Sequence, residues 1–282
     1  MKKTLLIFAA LLLTVVLFDR IAFAGPPFNN LEGVGGVAFN PLAYLAEGDS
    51  DLKIGDQPII GKPRFGAWYV NLPDAKIDWT SFGVADTLFK RLEVSYGYET
   101  VSWVDHPTFH KNNIGAKFLV LEENSFGSKL VPAFSIGTIY KTTSAKGISK
   151  LGFPLRSTGQ DWYAVATKTI PQLLPVPVII SGGALSSQEY VTGVLGFHNK
   201  RKITGFANID LVLPHGFVVG YEFKQGEQFS SYKNNNYWDA HIAWIPNKNL
   251  TLIAAYTATG GYGKGTRTGL GDGVVLSAQY AF

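Results

Sequence analysis

Four segments of this chain carry charged or amide side chains two or six positions apart: Glu93 and Glu99, Asn208 and Asp210, Glu222 and Lys224, Asp239 and His241. Residues an even number apart in an extended chain share one face. Each pair therefore converges on one surface, where it can form an ion pair, relay a proton or hold a polar solute. The commoner use of such sets is a structural ion-pair network rather than a catalytic site. Cysteine is absent, which removes a thiol nucleophile, a thiolate metal site and any disulfide. None of the five histidines, His106, His110, His198, His215 and His241, sits in a recognisable hydrolase motif. Asp105-His106 with His110 has the residue types of a metal site, but Pro107 forbids a helical spacing of the imidazoles, so a solvated outer loop without metal is expected. Gly33-Val34-Gly35-Gly36 is too short for a phosphate-binding loop and lacks its Lys-Ser or Lys-Thr ending. Neither a cofactor nor an enzymatic activity is expected.

The elements that would position these residues follow from periodicity. Leu92, Val94, Tyr96 and Tyr98 alternate with Glu93, Ser95, Gly97 and Glu99, a period of two that a helix would scatter. The last segment repeats it, with Val274, Leu276, Ala278, Tyr280 and Phe282 on one face and Val275, Ser277, Gln279 and Ala281 on the other. Turn residues divide the chain into twelve such segments: 62–72, 76–86, 91–103, 112–122, 130–141, 159–170, 176–188, 203–213, 216–226, 236–246, 249–259 and 272–282. Charged residues make up only 16% of the chain, below the roughly 25% usual in soluble domains. The longest later apolar stretch, Ile170 to Leu185, is interrupted by Pro171, Pro175 and Pro177 and cannot span a membrane as a helix. Together these features predict an all-β protein, a transmembrane antiparallel up-and-down β-barrel of about twelve strands.

Connection lengths set its direction. With the C-terminus in the periplasm, the connections 245–249, 213–216, 171–177, 123–129 and 87–91 fall on the periplasmic side and are short. The connections 260–271, 226–235, 189–202, 142–158 and 104–111 fall outside and are mostly longer, as in bacterial barrels. Only the turn at 72–75 is short on the outer side. Trp68, Trp103, Trp162, Tyr221, Trp238, Trp244 and Tyr280 stand near strand ends, where interfacial girdles form. On this frame Glu93, Glu99, Asn208, Asp210, Glu222, Lys224, Asp239 and His241 face the lumen and describe a polar interior. The outer loops carry Lys146, Lys150 and Arg156, then Lys200, Arg201 and Lys202, then Lys264 and Arg267. These charges suit anionic lipopolysaccharide or the attraction of anionic solutes.

Residues 1–24 read as a cleaved signal peptide: Lys2 and Lys3, an apolar run from Leu5 to Phe18, and Ala22-Phe23-Ala24 ahead of Gly25. Removing them takes away Lys2, Lys3, Arg20 and Asp19 and lowers the formal charge from +4 to +2, so no basic stripe is left to suggest nucleic acid. Residues 25–61 precede the barrel at 62–282. With Gly33, Gly35, Gly36, Pro41 and Pro58 they are rich in turn formers, yet Val37, Phe39, Leu42, Tyr44 and Leu45 are too apolar for a disordered leader. A plug inside the lumen or an extra strand is expected.

Several blocks resemble an uncharacterised bacterial family of outer-membrane proteins grouped as a domain of unknown function. They are Leu31-Glu32-Gly33-Val34-Gly35-Gly36 with Asn40-Pro41, Arg91 to Tyr96, Asp161 to Lys168, and Trp238-Asp239 through Ala243 to Lys248. The resemblance implies an envelope barrel and transfers no active site. The function expected is a porin-like pore for small solutes or glycans. The alternative is a structural or adhesive barrel with a filled lumen, and an outer-membrane hydrolase comes third. The expected partners are outer-membrane lipid, lipopolysaccharide and the barrel assembly machinery, which would read Tyr280 and Phe282 as the terminal strand. Deleting Phe282 should lower the yield of heat-modifiable protein in the outer membrane; an unchanged yield on seminative gels would refute the assembly signal.

Overall fold

The computed structural model describes residues 28–46, 52–54, 57–144, 156–171, 174–230, 233–262 and 269–282. The signal peptide and Lys146, Lys150, Lys264 and Arg267 lie outside them. Alternation becomes strand wherever one face can be apolar and the other enclosed. Twelve antiparallel strands follow in chain order: β1 (Arg64–Leu72), β2 (Ile77–Leu88), β3 (Leu92–Trp103), β4 (Phe109–Leu121), β5 (Ala133–Thr143), β6 (Thr158–Ile170), β7 (Val178–Glu189), β8 (Phe197–Leu213), β9 (Phe217–Lys224), β10 (Tyr237–Trp244), β11 (Leu250–Ala258) and β12 (Asp272–Ala281). Each pairs with the next, and β12 pairs with β1 from Val274↔Asn71 to Ala281↔Arg64, which closes the barrel. Closure leaves these twelve strands without an unpaired edge, the condition for a sheet to sit in hydrocarbon.

The two faces differ as the alternation requires. On β3, Val94, Tyr96 and Tyr98 are exposed while Glu93, Ser95 and Glu99 are buried. Outward aromatics form rows across neighbouring strands: Tyr221 against Trp238 at 5.9 Å, Trp238 against Tyr256 at 6.1 Å, and Phe217 against Trp244 at 6.3 Å. At the end of the barrel that holds the C-terminus Phe282 lies 5.5 Å from Phe65 and 4.9 Å from Tyr280. Trp103 departs from the expected girdle, paired with the inward Ile77 and packed against the interior cluster, and so does Trp68. It points inward and is 3% exposed, because β1 is apolar on both faces and its register, not its composition, selects which face goes in.

Two further expectations are corrected. Strand β8 starts at Phe197 rather than near residue 203, so Lys200, Arg201 and Lys202 sit on a strand extension instead of in a loop. The register between β7 and β8 jumps from Ser187↔Lys202 to Glu189↔Phe197, a bulge that puts residues 198–201 opposite Gln188. The connection that remains, Tyr190 to Gly196, folds inward with Tyr190, Val191, Val194 and Leu195 buried. The interior is also not uniformly polar. Those four residues join Trp68, Val70, Leu72, Ile77, Trp79, Val101 and Phe109 in an apolar cluster. Charged groups adjoin this cluster directly, Glu99 accepting from Trp79 Nε1 at 3.0 Å.

Residues 28–46 run through the enclosed space and are almost wholly buried. They begin at the rim that holds the C-terminus, where Asn29 exchanges hydrogen bonds with Gln279 near the end of β12. They reach Lys111 near the outer end of β4 through Glu32, and return to the rim where Ala46 O accepts from Thr87 of β2. Phe28–Asn29 pairs with Gly35–Gly36 in a short ladder. The tight turn between them uses Gly33 at φ +85°, a conformation that glycine adopts without steric cost. Beside it, Gly83 and Gly97 pair across β2 and β3, and a Cβ on Gly97 would lie 2.3 Å from Glu32 O. Gly97→Val should therefore expel or distort the plug at a cost of about 1–3 kcal/mol while the barrel still assembles. Limited proteolysis should cut within residues 28–46 of the variant and spare heat-modifiable migration; equal protection of both proteins would contradict the close approach.

Candidate functional site

The lumen holds the plug chiefly through its backbone. Glu93 on β3 and Lys117 on β4 are directly opposed, and their ion pair is 2.9 Å long. The Glu93 carboxylate accepts the amides of Gly35 at 2.8 Å and Ala46 at 2.7 Å. The Lys117 ammonium donates to the carbonyls of Gly35, Leu42 and Tyr44 at 2.8, 3.2 and 2.7 Å. On the opposite wall Glu222 of β9 accepts the successive amides of Ala38, Phe39 and Asn40 at 2.9, 2.9 and 3.0 Å. This is a nest of backbone N–H groups around an anion. Ala43 donates to Thr167 and accepts from Ser135.

Above these clamps lies a charge cluster. The plug carboxylate of Glu32 bridges Lys111 at 2.6 Å and Lys141 at 2.5 Å. Lys111 also meets Glu99 at 3.0 Å, and Lys141 meets Asp161 at 2.5 Å and Glu189 at 2.7 Å. Lys224 joins Glu189 in a very short contact. Three ammonium groups thus face four carboxylates, and each is desolvated, so removing one partner would strand a buried charge. A separate triad lies on β8 and β10, where both ring nitrogens of His241 are engaged, Nδ1 by Asp239 at 2.7 Å and Nε2 by Asp210 at 2.8 Å. Asp210 reaches His241 over the intervening strand because Gly220 stands between them; a Cβ there would lie 2.2 Å from Asp210 Oδ1.

All eight residues read from the sequence as lumen-facing are buried. Glu93 and Glu222 hold the plug, Glu99 and Lys224 join the charge cluster, and Asp210, Asp239 and His241 form the triad, in which Asn208 donates to Asp210 at 3.0 Å. His106 packs on Trp103 at 4.2 Å, and His110 lies beside Tyr98. Lys200, Arg201 and Lys202 are exposed on the outer extension of β8, away from the lumen. Tyr280 is exposed and faces outward.

The geometry can be set beside known proteins. Residues 26–278 match the family described as proteins of unknown function, DUF3034. The chain belongs to this family. No curated protein matches it. Among solved structures it resembles the KdgM porin, with 10% identity over 78% of this chain and 99% of that one and a TM-score of 0.53. It also resembles the calcium-bound outer membrane phospholipase dimer of Salmonella typhi, with 9% identity over 83% and 94% and a TM-score of 0.41. A third is Omp33 of Acinetobacter baumannii, with 12% identity over 81% and 100% and a TM-score of 0.44. At these identities the likeness to the KdgM porin is one of fold.

This DUF3034 member uses lumen residues that the sequence reading did not single out: Glu32, Lys111, Lys117, Lys141, Asp161 and Glu189. Strand parity carries a signal for Lys117, which falls in phase with Asn113. Lys111, Lys141 and Glu189 sit near strand ends whose exact positions decide their face. Asp161 is in phase with the buried Tyr163 and Thr167 of β6.

The outer connection between β9 and β10 closes over this cluster. Its Glu227 is fully buried and accepts from Asn234 at 2.8 Å. Burial, with the Glu189 charge adding to it, pushes the Glu227 carboxyl up to about 8 from the ordinary 4.5. A raised folded-state value favours the neutral acid, so the contribution to the packed loop is full below pH 4.5 and is lost as pH rises through about 8. Amide exchange in residues 225–230, corrected for intrinsic rates, should accelerate between about pH 6 and 9. Glu227→Gln should remove that rise, and a pH-independent wild type would contradict it.

Proposed function

We propose that the protein is an outer-membrane channel for small polar solutes or glycans, held shut by its own residues 28–46. The observation that carries this reading is the character of the plug contacts. Apart from the ion pairs of Glu32, they are hydrogen bonds between wall side chains and plug backbone, and water or a polyhydroxylated solute can replace such bonds one for one. Most wall charges keep a wall partner when the plug leaves: Glu93 with Lys117, Glu99 with Lys111, and Asp161 and Glu189 with Lys141. Glu222, which gives up three plug amides, would take water or solute hydroxyls in their place. A barrel of twelve strands exceeds the eight at which side chains alone fill the interior, so the space is there to be opened. Catalysis is not part of this reading: both ring nitrogens of His241 are engaged, by Asp239 and Asp210, so neither is free to take a proton from a substrate.

A filled structural barrel is the second reading, favoured by the apolar packing of the Tyr190 to Gly196 connection inside the wall. On either reading the partners are the lipid and lipopolysaccharide of the outer membrane and the machinery that inserts the strand ending in Tyr280 and Phe282.

Because the chain has no cysteine, a disulfide lock can be introduced without competing thiols. Ser135 Oγ donates to Ala43 O at 2.6 Å, which brings the two positions together, and Ala43→Cys with Ser135→Cys serves as the lock once non-reducing gels show that the pair oxidises. In planar bilayers the oxidised double variant should show no openings, reduction should restore those of the wild type, and deleting residues 28–46 should give larger and longer openings. Silence from wild type, reduced variant and deletion alike would leave the filled structural barrel.

A further inference from the structure

The outer wall carries a second feature that the lumen does not explain. A groove of about 500 Å³ crosses the lipid-facing side of β3 to β8. It follows two adjacent rungs of the sheet, in which Thr138, Trp162 and Ser186 pair in sequence and Ile136, Ala164 and Ala184 lie one rung below. The small side chains of Ala164 and Ala184 form its floor. Phe118, Ile136, Trp162 and Ile203 are its walls, and all four are exposed, Ile203 to 78%. A trough with a small-residue floor and bulky sides accepts an extended hydrocarbon chain, and it lies at the membrane depth where such chains are found.

The outer end of the groove is basic. Arg201 sits one rung beyond Trp162, its Nη1 donating to Gln160 O at 2.6 Å and to Ser186 O at 3.1 Å. These bonds fix the guanidinium against the mouth of the trough and leave the group exposed. Lys200 is exposed on the same strand extension, whereas Lys202, paired with the buried Ser187, alternates to the other side of the strand. Arg156, bridged to Phe197 farther out on the same pair of strands, is exposed as well. The bulge opposite Gln188 creates this arrangement, because it swings residues 198–201 away from the ladder. An arginine fixed at a membrane interface with further cations around it is suited to a phosphate, which its fork can bind bidentately.

We propose that this groove and its basic mouth form a binding site for a phosphorylated, multiply acylated glycolipid of the outer leaflet. One acyl chain lies over Ala164 and Ala184, and a phosphate lies at Arg201, with Lys200 and Arg156 adding positive charge around the mouth. Charge complementarity at the mouth and the adjoining acyl trough select this occupant over a zwitterionic lipid, which would bring no net charge to these cations. The assignment rests on the outer-membrane placement and is independent of whether the lumen conducts.

The test uses the full-length mature protein in detergent micelles, with native mass spectrometry reading bound lipid. The probes are bis-phosphorylated lipid A, the same lipid A with its phosphates removed, and phosphatidylethanolamine. Bis-phosphorylated lipid A should bind one to one, and both other probes at least about tenfold more weakly, as charge-assisted phosphate contacts imply. The double variant Lys200→Gln, Arg201→Gln should lose that preference. Ala184→Phe, which fills the floor and leaves the cations in place, should weaken lipid A while heat-modifiable migration confirms an intact barrel. Equal binding of phosphorylated and dephosphorylated lipid A would overturn the phosphate site, and full retention by Ala184→Phe would overturn the acyl trough. Conductance measured on the same variants separates this result from the channel reading, since neither change touches the lumen.

Discussion

A closed sheet of twelve strands encloses more space than its own inward side chains can fill, and every polar group in that space needs a partner. This single constraint organises the molecule. Alternation sends one side chain in two into the interior, and β3 to β10 each place at least one charged residue there. Neighbouring strands supply some of the partners, as with Glu93 and Lys117 or Glu99 and Lys111. The remainder come from chain that is not wall, namely the leader and the inward-folded outer connections. Residues 28–46 act as a spool of peptide groups, donating N–H to the carboxylates of Glu93 and Glu222 and offering C=O to the ammonium of Lys117.

Apolar inward residues on β1 and β2 gather against Tyr190, Val191, Val194 and Leu195, while the buried cations and carboxylates belong to β3 to β10, the plug and the outer connection that carries Glu227. Where the two sets meet, a polar atom on the apolar side serves the ion, as Trp79 Nε1 does for Glu99, because an ion beside hydrocarbon alone is costly. Carboxylates outnumber cations among these buried groups, and burial beside the Glu189 charge pushes the Glu227 carboxyl up to about 8.

The barrel was legible because alternation is a local property that survives without knowledge of partners. All twelve strands lie near the segments that periodicity marks, and the eight inward polar residues follow from parity alone. What parity cannot supply is register. Lys111 and Glu99 become opposite neighbours only once β3 and β4 are paired, and nothing in either segment states that pairing. β1 offers Phe65, Ala67 and Tyr69 on one face and Trp68, Val70 and Leu72 on the other, so composition could not choose and Trp68 went to the wrong side in the sequence reading. The outer start of β8 was hidden for the opposite reason. Asn199, Lys200, Arg201 and Lys202 carry no apolar alternation, and the ladder there is held by backbone pairing around a bulge.

Both ends of the plug lie at the rim that holds the C-terminus, Asn29 beside Arg64 and Gln279, Ala46 beside Thr87. A segment anchored this way enters the barrel as a folded-back loop, and no chain end has to be threaded past the wall. Filling the interior can therefore come after the seam between β12 and β1 has zipped, as a step separable in time from insertion into the bilayer. The order of biogenesis is thereby relaxed: the strands need not wait for their contents, and the leader needs only one open side through which to arrive.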